Sequence, residues 1–189
     1  MRKKLLTLLT LLLCAVTGAW ADDIIFEWSS TSGSAASSVT NDYGTIAGTT
    51  GSEAEETVNV SQSGFHVLKC GSGKADFSTN HILVTLKSGV SLKEGDVLEV
   101  NGFSNNKSND SYPKFRFGTS YDVSFDTSGA FANMNSSSSN YYNSGSLKAA
   151  QTTTLGENAE GVTSFKITRG NTKTGFFVTS VRITRPGNP

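Results

Sequence analysis

Tyrosines beside asparagine and aspartate are the residues of this 189-residue chain whose chemistry points to a ligand. They lie in or next to residues 105–111 and 133–145, which are built almost wholly of Ser, Asn, Gly and Thr. Such segments have little apolar surface with which to bury a ring. Sugars suit these surfaces, because their C–H faces stack on aromatic rings while their hydroxyls meet amides and carboxylates. The sequence therefore predicts a glycan-binding surface built from Tyr112, Tyr141, Tyr142, Asn105, Asn106 and Asp110.

Two other aromatic residues, Trp28 and Tyr121, are alternative positions for such a surface. Trp28 lies in an alternating segment that is typical of a strand, so we expect its ring in the core.

Catalytic motifs are not evident in the sequence. His66 and His81 fall within or at the edge of strand patterns, so neither is placed as a catalytic triad requires. Together with Cys70 they match no zinc-ligand spacing, and we expect Cys70 to be a small buried hydrophobe. Residues 68–75 do not form a phosphate-loop motif, because Leu68 stands where the first glycine belongs and Ala75 where the Ser/Thr belongs. Spacing alone selects no carboxylate pair for glycoside hydrolysis from Asp76, Asp110, Asp122, Asp126, Glu157 and Glu160.

No cofactor is predicted. A structural calcium ion held by Asp and Asn oxygens stays open, since calcium takes about six to eight oxygen ligands, but there is no EF-hand loop.

Residues 1–21 have the features of a secretory signal peptide. A basic start precedes an apolar run over residues 5–16, and the segment ends on small residues up to Ala21. The run is shorter than the roughly 20 residues that span a bilayer. Cys14 is not preceded by the small residue of a lipoprotein signal. We expect cleavage after Ala21 and export without membrane insertion, to the periplasm, the cell surface or the extracellular space.

The net charge of the chain after cleavage limits the classes of binding partner. Loss of three basic residues from 16 leaves 13 against 16 acidic ones, a formal charge of −3. This balance does not favour anionic lipid surfaces or nucleic acid, which needs a clustered basic face. Cys70 is then the only cysteine, so the chain has no intramolecular disulfide and must be stable through packing. The sequence sets no oligomeric state.

The clearest strand pattern lies in residues 81–104. Apolar residues alternate with polar ones over Ile82–Leu86 and again over residues 98–102. Residues 93–96 between them supply turn chemistry, with Gly95 suited to a positive φ. The pattern predicts a β-hairpin whose two apolar rows lie on one face of a sandwich core.

The same alternation predicts strands elsewhere in the chain, and no helical periodicity extends beyond a turn or two. The fold class is therefore all-β, an antiparallel two-sheet β-sandwich of the jelly-roll type. The predicted strands are residues 24–28, 57–60, 64–69, 82–87, 97–103, 114–117, 121–125, 164–168 and 176–184.

The last strand also sets the end of the domain. Pro186 should end it, because proline cannot donate to a ladder. We expect one domain over residues 22–186, followed by a tail at 187–189. One face of this strand is predicted to carry Phe177, Thr179, Val181 and Ile183.

Three sequence features together point to a family. They are HILVTLKSGVSLKEGDVLEVNGFSNN, the polar loop with two tyrosines, and SFKITRG followed by GFFVTSVRITRP. In this combination the chain resembles the carbohydrate-binding-module-like jelly-roll domains of secreted proteins from Gram-negative gut bacteria. The resemblance covers residues 24–186 in outline. It implies export and a non-catalytic accessory role, and it assigns no ligand residue.

The sequence favours a secreted, non-catalytic module that binds glycan or polysaccharide. The alternative is a structural or adhesive protein of the cell surface or extracellular space without a small-molecule ligand. An enzyme would need an acidic pair about 5–10 Å apart in a cleft.

Overall fold

A computed structural model describes residues 22–30, 38–48, 55–60, 63–70, 81–104, 113–118, 123–126, 151–169 and 175–187. Within these ranges the chain forms strands and a single 3₁₀ turn, Glu157–Ala159, and no α-helix. The strands are β1 Asp23–Ser29, β2 Ser38–Asn41, β3 Gly44–Gly48, β4 Glu55–Val60, β5 Ser63–Cys70, β6 Ile82–Leu86, β7 Val97–Ser104, β8 Pro113–Phe117, β9 Val123–Asp126, β10 Gln151–Thr154, β11 Ser164–Arg169 and β12 Phe176–Arg185.

The strands form two six-stranded sheets. Sheet A has the order β10-β7-β12-β5-β4, and β1 also pairs with β12. Sheet B has the order β2-β3-β6-β11-β8-β9. Every pairing between the described strands is antiparallel. The prediction of an all-β fold with two antiparallel sheets is confirmed.

One apolar core lies between the sheets. Val84 of sheet B and Val100 of sheet A are both fully buried in it. Three phenylalanines of β8 and β11 pack in this core, with the Phe165 ring centroid 5.5 Å from Phe117 and 6.4 Å from Phe115. Burial of each such side chain contributes about 1.5–3 kcal/mol, so each ring is a substantial part of the net stability of a domain, which is about 5–15 kcal/mol.

The predicted hairpin between β6 and β7 is wrong, although its strands and its shared core are confirmed. β6 pairs with β3 and β11 in sheet B, whereas β7 pairs with β10 and β12 in sheet A. Residues 87–96 therefore cross from one sheet to the other. Both apolar rows lie in the one core between the sheets, and Gly95 does adopt a positive φ of 87°. Alternation is the same for strands that pair and for strands that pack face to face, so it did not distinguish them.

The predicted face of β12 is wrong at Phe177. The pairing of β12 with β7 shifts between Val178 and Ser180, which makes Thr179 the extra residue of a β-bulge. Because of the bulge, the residues of β12 that precede Thr179 lie on the opposite face of the sheet from the one that simple alternation predicts. Phe177 stands opposite Phe103 and is only 4% exposed, but it is not part of the core shared by the sheets.

Strands β2, β3 and β10 were not predicted. They are short and rich in Ser, Thr and Gly, which form a weak alternating pattern. Gly44 opens β3 with a φ of 143°, and a Cβ there would collide with the carbonyl oxygen of Thr85. Glycine therefore permits the close approach of β3 to β6.

Candidate functional site

The six residues predicted to bind glycan lie outside the described part of the chain, but the strand ends next to them are described. β7 ends at Ser104 and β8 begins at Pro113. β9 ends at Asp126 and β10 begins at Gln151. The predicted residues between these strand ends are Asn105, Asn106, Asp110, Tyr112, Tyr141 and Tyr142.

The end of β7 and the start of β8 lie at the same end of the sandwich. Ser104 pairs with Phe176, the first residue of β12, and Pro113 pairs with Arg169, the last residue of β11. Residues 170–175 join β11 to β12, so both pairs of strand ends meet there. We call this the loop end, defined by Ser104, Pro113, Arg169 and Phe176.

The chain segment of residues 127–150 also starts and finishes towards the loop end. Asp126 pairs with Lys114, one residue into β8. β10 runs antiparallel to β7, so its first residue, Gln151, is the one nearer the loop end. The two polar segments that carry the predicted residues are therefore both connected to strands at this end.

The opposite end, the closed end, is formed by residues 87–96 and 155–163. Leu92 N–H donates to the Val162 carbonyl at 2.8 Å, and the Gly95 N–H donates to Leu155 O at 2.8 Å. Both leucines are at most 1% exposed. The two segments thus close this end with apolar side chains and a backbone hydrogen-bond network.

A buried ion pair fixes the closed end to β12. Asp96 is fully buried, and its two carboxylate oxygens accept hydrogen bonds from Arg185 Nε at 2.8 Å and Nη2 at 2.9 Å. The same carboxylate accepts from the backbone N–H of Lys93 at 2.8 Å, while Arg185 Nη2 also donates to Ser91 O at 2.9 Å. The hydrogen bond to Asp96 is the main cause of a raised pKa of Arg185. This bidentate geometry is structural, because every named donor is used to hold the turn.

Of the two alternative aromatic positions, Trp28 is described and Tyr121 lies outside the described residues. Trp28 is 6% exposed and packs in the core with Phe26, which confirms the prediction that its ring is buried. Trp28 therefore presents no ring to a ligand. Tyr43, in the turn between β2 and β3, also packs against the core.

Catalytic and metal chemistry has little support among the described residues. No group of three His, Cys, Asp or Glu side chains in this part of the chain is arranged to hold a metal ion. Cys70 is fully buried, as expected of a small hydrophobe. Glu157 and Glu160 are exposed at the closed end, and Asp76, Asp110 and Asp122 lie outside the described residues. The described residues contain no helix that is long and apolar enough to cross a membrane.

The outer face of sheet A carries charges of both signs. Arg182 stands between Glu27 of β1 and Glu99 of β7 in the register. Its Nε lies 3.6 Å from Glu27 Oε1, and both side chains are nearly half exposed. Next to this row, Asn101 Nδ2 donates to Ser180 Oγ at 2.9 Å. At this point of the face, one arginine therefore lies between two carboxylates.

The outer face of sheet B has a different character, which sequence reasoning missed. Lys166 of β11 stands directly opposite Arg116 of β8, and Lys114 lies two residues from Arg116 on the same face. All three side chains are partly exposed. The alternating basic residues of PKFRF and SFKITR were the available sign, but only the pairing of β8 with β11 brings them together.

The chain matches no protein-family model and, in sequence, no curated protein. Among solved structures it is similar to the CBM22-1 xylan-binding domain from Paenibacillus barcinonensis Xyn10C, with a TM-score of 0.46 and 12% sequence identity. The similarity covers 89% of this chain and 97% of that domain. Both values are low, so the architecture is established by the strand pairing and not by this likeness.

Proposed function

We propose that the chain is a secreted, non-catalytic accessory protein that binds glycan or polysaccharide at the loop end. The binding residues are Tyr112, Tyr141 and Tyr142, with Asn105, Asn106 and Asp110. The observation that carries the proposal is the common origin of both polar segments at the loop end, while the closed end is filled by packed leucines. Segments that share an end can present their aromatic and amide groups to one ligand.

The distribution of aromatic rings also supports this proposal. Trp28 and the phenylalanines of β1, β8, β11 and β12 are buried in the sandwich. Tyrosines in segments too polar to bury them face either solvent or a ligand. The proposal thus places the binding rings outside the core, where they contribute little to folding.

Export and fold type complete the proposal. Residues 1–21 are removed as a signal peptide, the mature chain begins at Asp22, and the sandwich is a jelly roll of the carbohydrate-binding-module type from a bacterial protein. Mass spectrometry of secreted material tests the cleavage, which a lipidated Cys14 would contradict.

Binding by a few exposed rings is expected to be weak. Stacking on one aromatic ring contributes on the order of 1–2 kcal/mol, so a soluble oligosaccharide should bind with micromolar to millimolar affinity. Several copies on one surface would raise the apparent affinity without any new contact.

A glycan array on the mature protein, followed by retention on the best polysaccharide, tests the proposal. The variant Tyr141→Ala/Tyr142→Ala should lose retention with a nearly unchanged thermal midpoint. The matched control Tyr141→Phe/Tyr142→Phe keeps both rings and should be retained. If no glycan binds the wild-type protein, the alternative of a structural or adhesive protein without a small ligand is favoured. If the double Ala variant binds normally, the site is not at these tyrosines.

A further inference from the structure

We draw no further inference here: the strongest candidate, the polar patch on the outer face of sheet A where Arg182 lies between Glu27 and Glu99 beside the hydrogen-bonded Asn101 and Ser180, is an exposed sheet face, and nothing in the structure shows what covers it.

Discussion

Two ion pairs of this protein differ in burial and therefore in their expected contribution to stability. The Asp96 side chain is fully buried and that of Arg185 is 26% exposed, with the nearest Nε–Oδ1 distance at 2.8 Å. The Arg182–Glu27 pair lies on the outer face of sheet A at 3.6 Å, with side chains 48% and 43% exposed. Water competes for the charges of the Arg182–Glu27 pair and hardly for those of the Asp96–Arg185 pair.

Replacing Asp96 with alanine should destabilise the protein by about 3 kcal/mol, measured by urea unfolding. The substitution leaves the Arg185 guanidinium and the Lys93 N–H without their acceptor in a mostly dry site. We expect the lower part of the usual range, because Arg185 is partly exposed and regains water. The control Arg182→Ala should cost less than about 1 kcal/mol. Equal losses in the two variants would contradict the assigned difference in burial.

The ion pair should not give an alkaline transition in the ordinary pH range. Hydrogen bonding to Asp96 raises the pKa of Arg185, so its contribution to stability is fully present below the unfolded pKa of arginine, which already lies far above the ordinary pH range. That contribution is lost only as pH rises through the still higher folded value. The arginine therefore serves as a fixed charge.

At the residue scale, the sequence predicted local requirements better than distant partners. The positive φ of Gly95 and the burial of Trp28 and Cys70 follow from local pattern and residue type. The burial of Asp96 does not, because Lys-Glu-Gly-Asp has the composition of an exposed turn. Its partner Arg185 lies 89 residues away in sequence, so no local pattern reveals it.

At the scale of elements, β7 and β12 lie side by side inside sheet A and pair from residue 97 to residue 104 of β7, with the bulge at Thr179 in β12. Leu98 and Val181 from this pair are fully buried. Each strand has neighbours on both sides, so its inward side chains have little freedom to move into a vacated space.

Leu98→Ala or Val181→Ala should therefore destabilise the protein by about 2–4 kcal/mol through the cavity left behind. Val97→Ala is the matched control, because Val97 is half-buried and on the opposite face of the same strand. It should cost clearly less than Val181→Ala in the same denaturation assay. Similar losses at Val97 and Val181 would mean that the inward and outward faces are assigned wrongly.

The strands were predictable from sequence where apolar alternation is strong, and their pairing was not. All nine predicted strands are present, whereas the Thr-rich β10 and the short β2 and β3 have too few apolar residues to be recognised. The misassigned hairpin of β6 with β7 arose because pairing depends on long-range contacts. The bulge at Thr179 changed the side of Phe177 without any sign in the alternation.

At the scale of the whole molecule, topology separates a closed end from a loop end and brings charged residues of distant segments together. Neither is visible in composition, since the whole chain has as many basic as acidic residues. The pairing of β8 with β11 places Lys166 opposite Arg116, and the segments of the closed end carry the exposed Glu94, Glu157 and Glu160. The candidate glycan residues rest on the sequence alone, and the structure adds where their flanking strands end.

The start of the folded domain can be tested by truncation. A chain beginning at Asp22 should fold and unfold cooperatively, because β1 begins at Asp23 and needs nothing before it in the described sheets. A chain beginning at Ser30 loses β1, which contributes Phe26 and Trp28 to the core. Losing an aromatic core residue costs about 3–5 kcal/mol, and two such losses approach a total stability of about 5–15 kcal/mol. The shorter chain should therefore show no cooperative thermal transition by circular dichroism, and a retained transition would contradict the role assigned to β1.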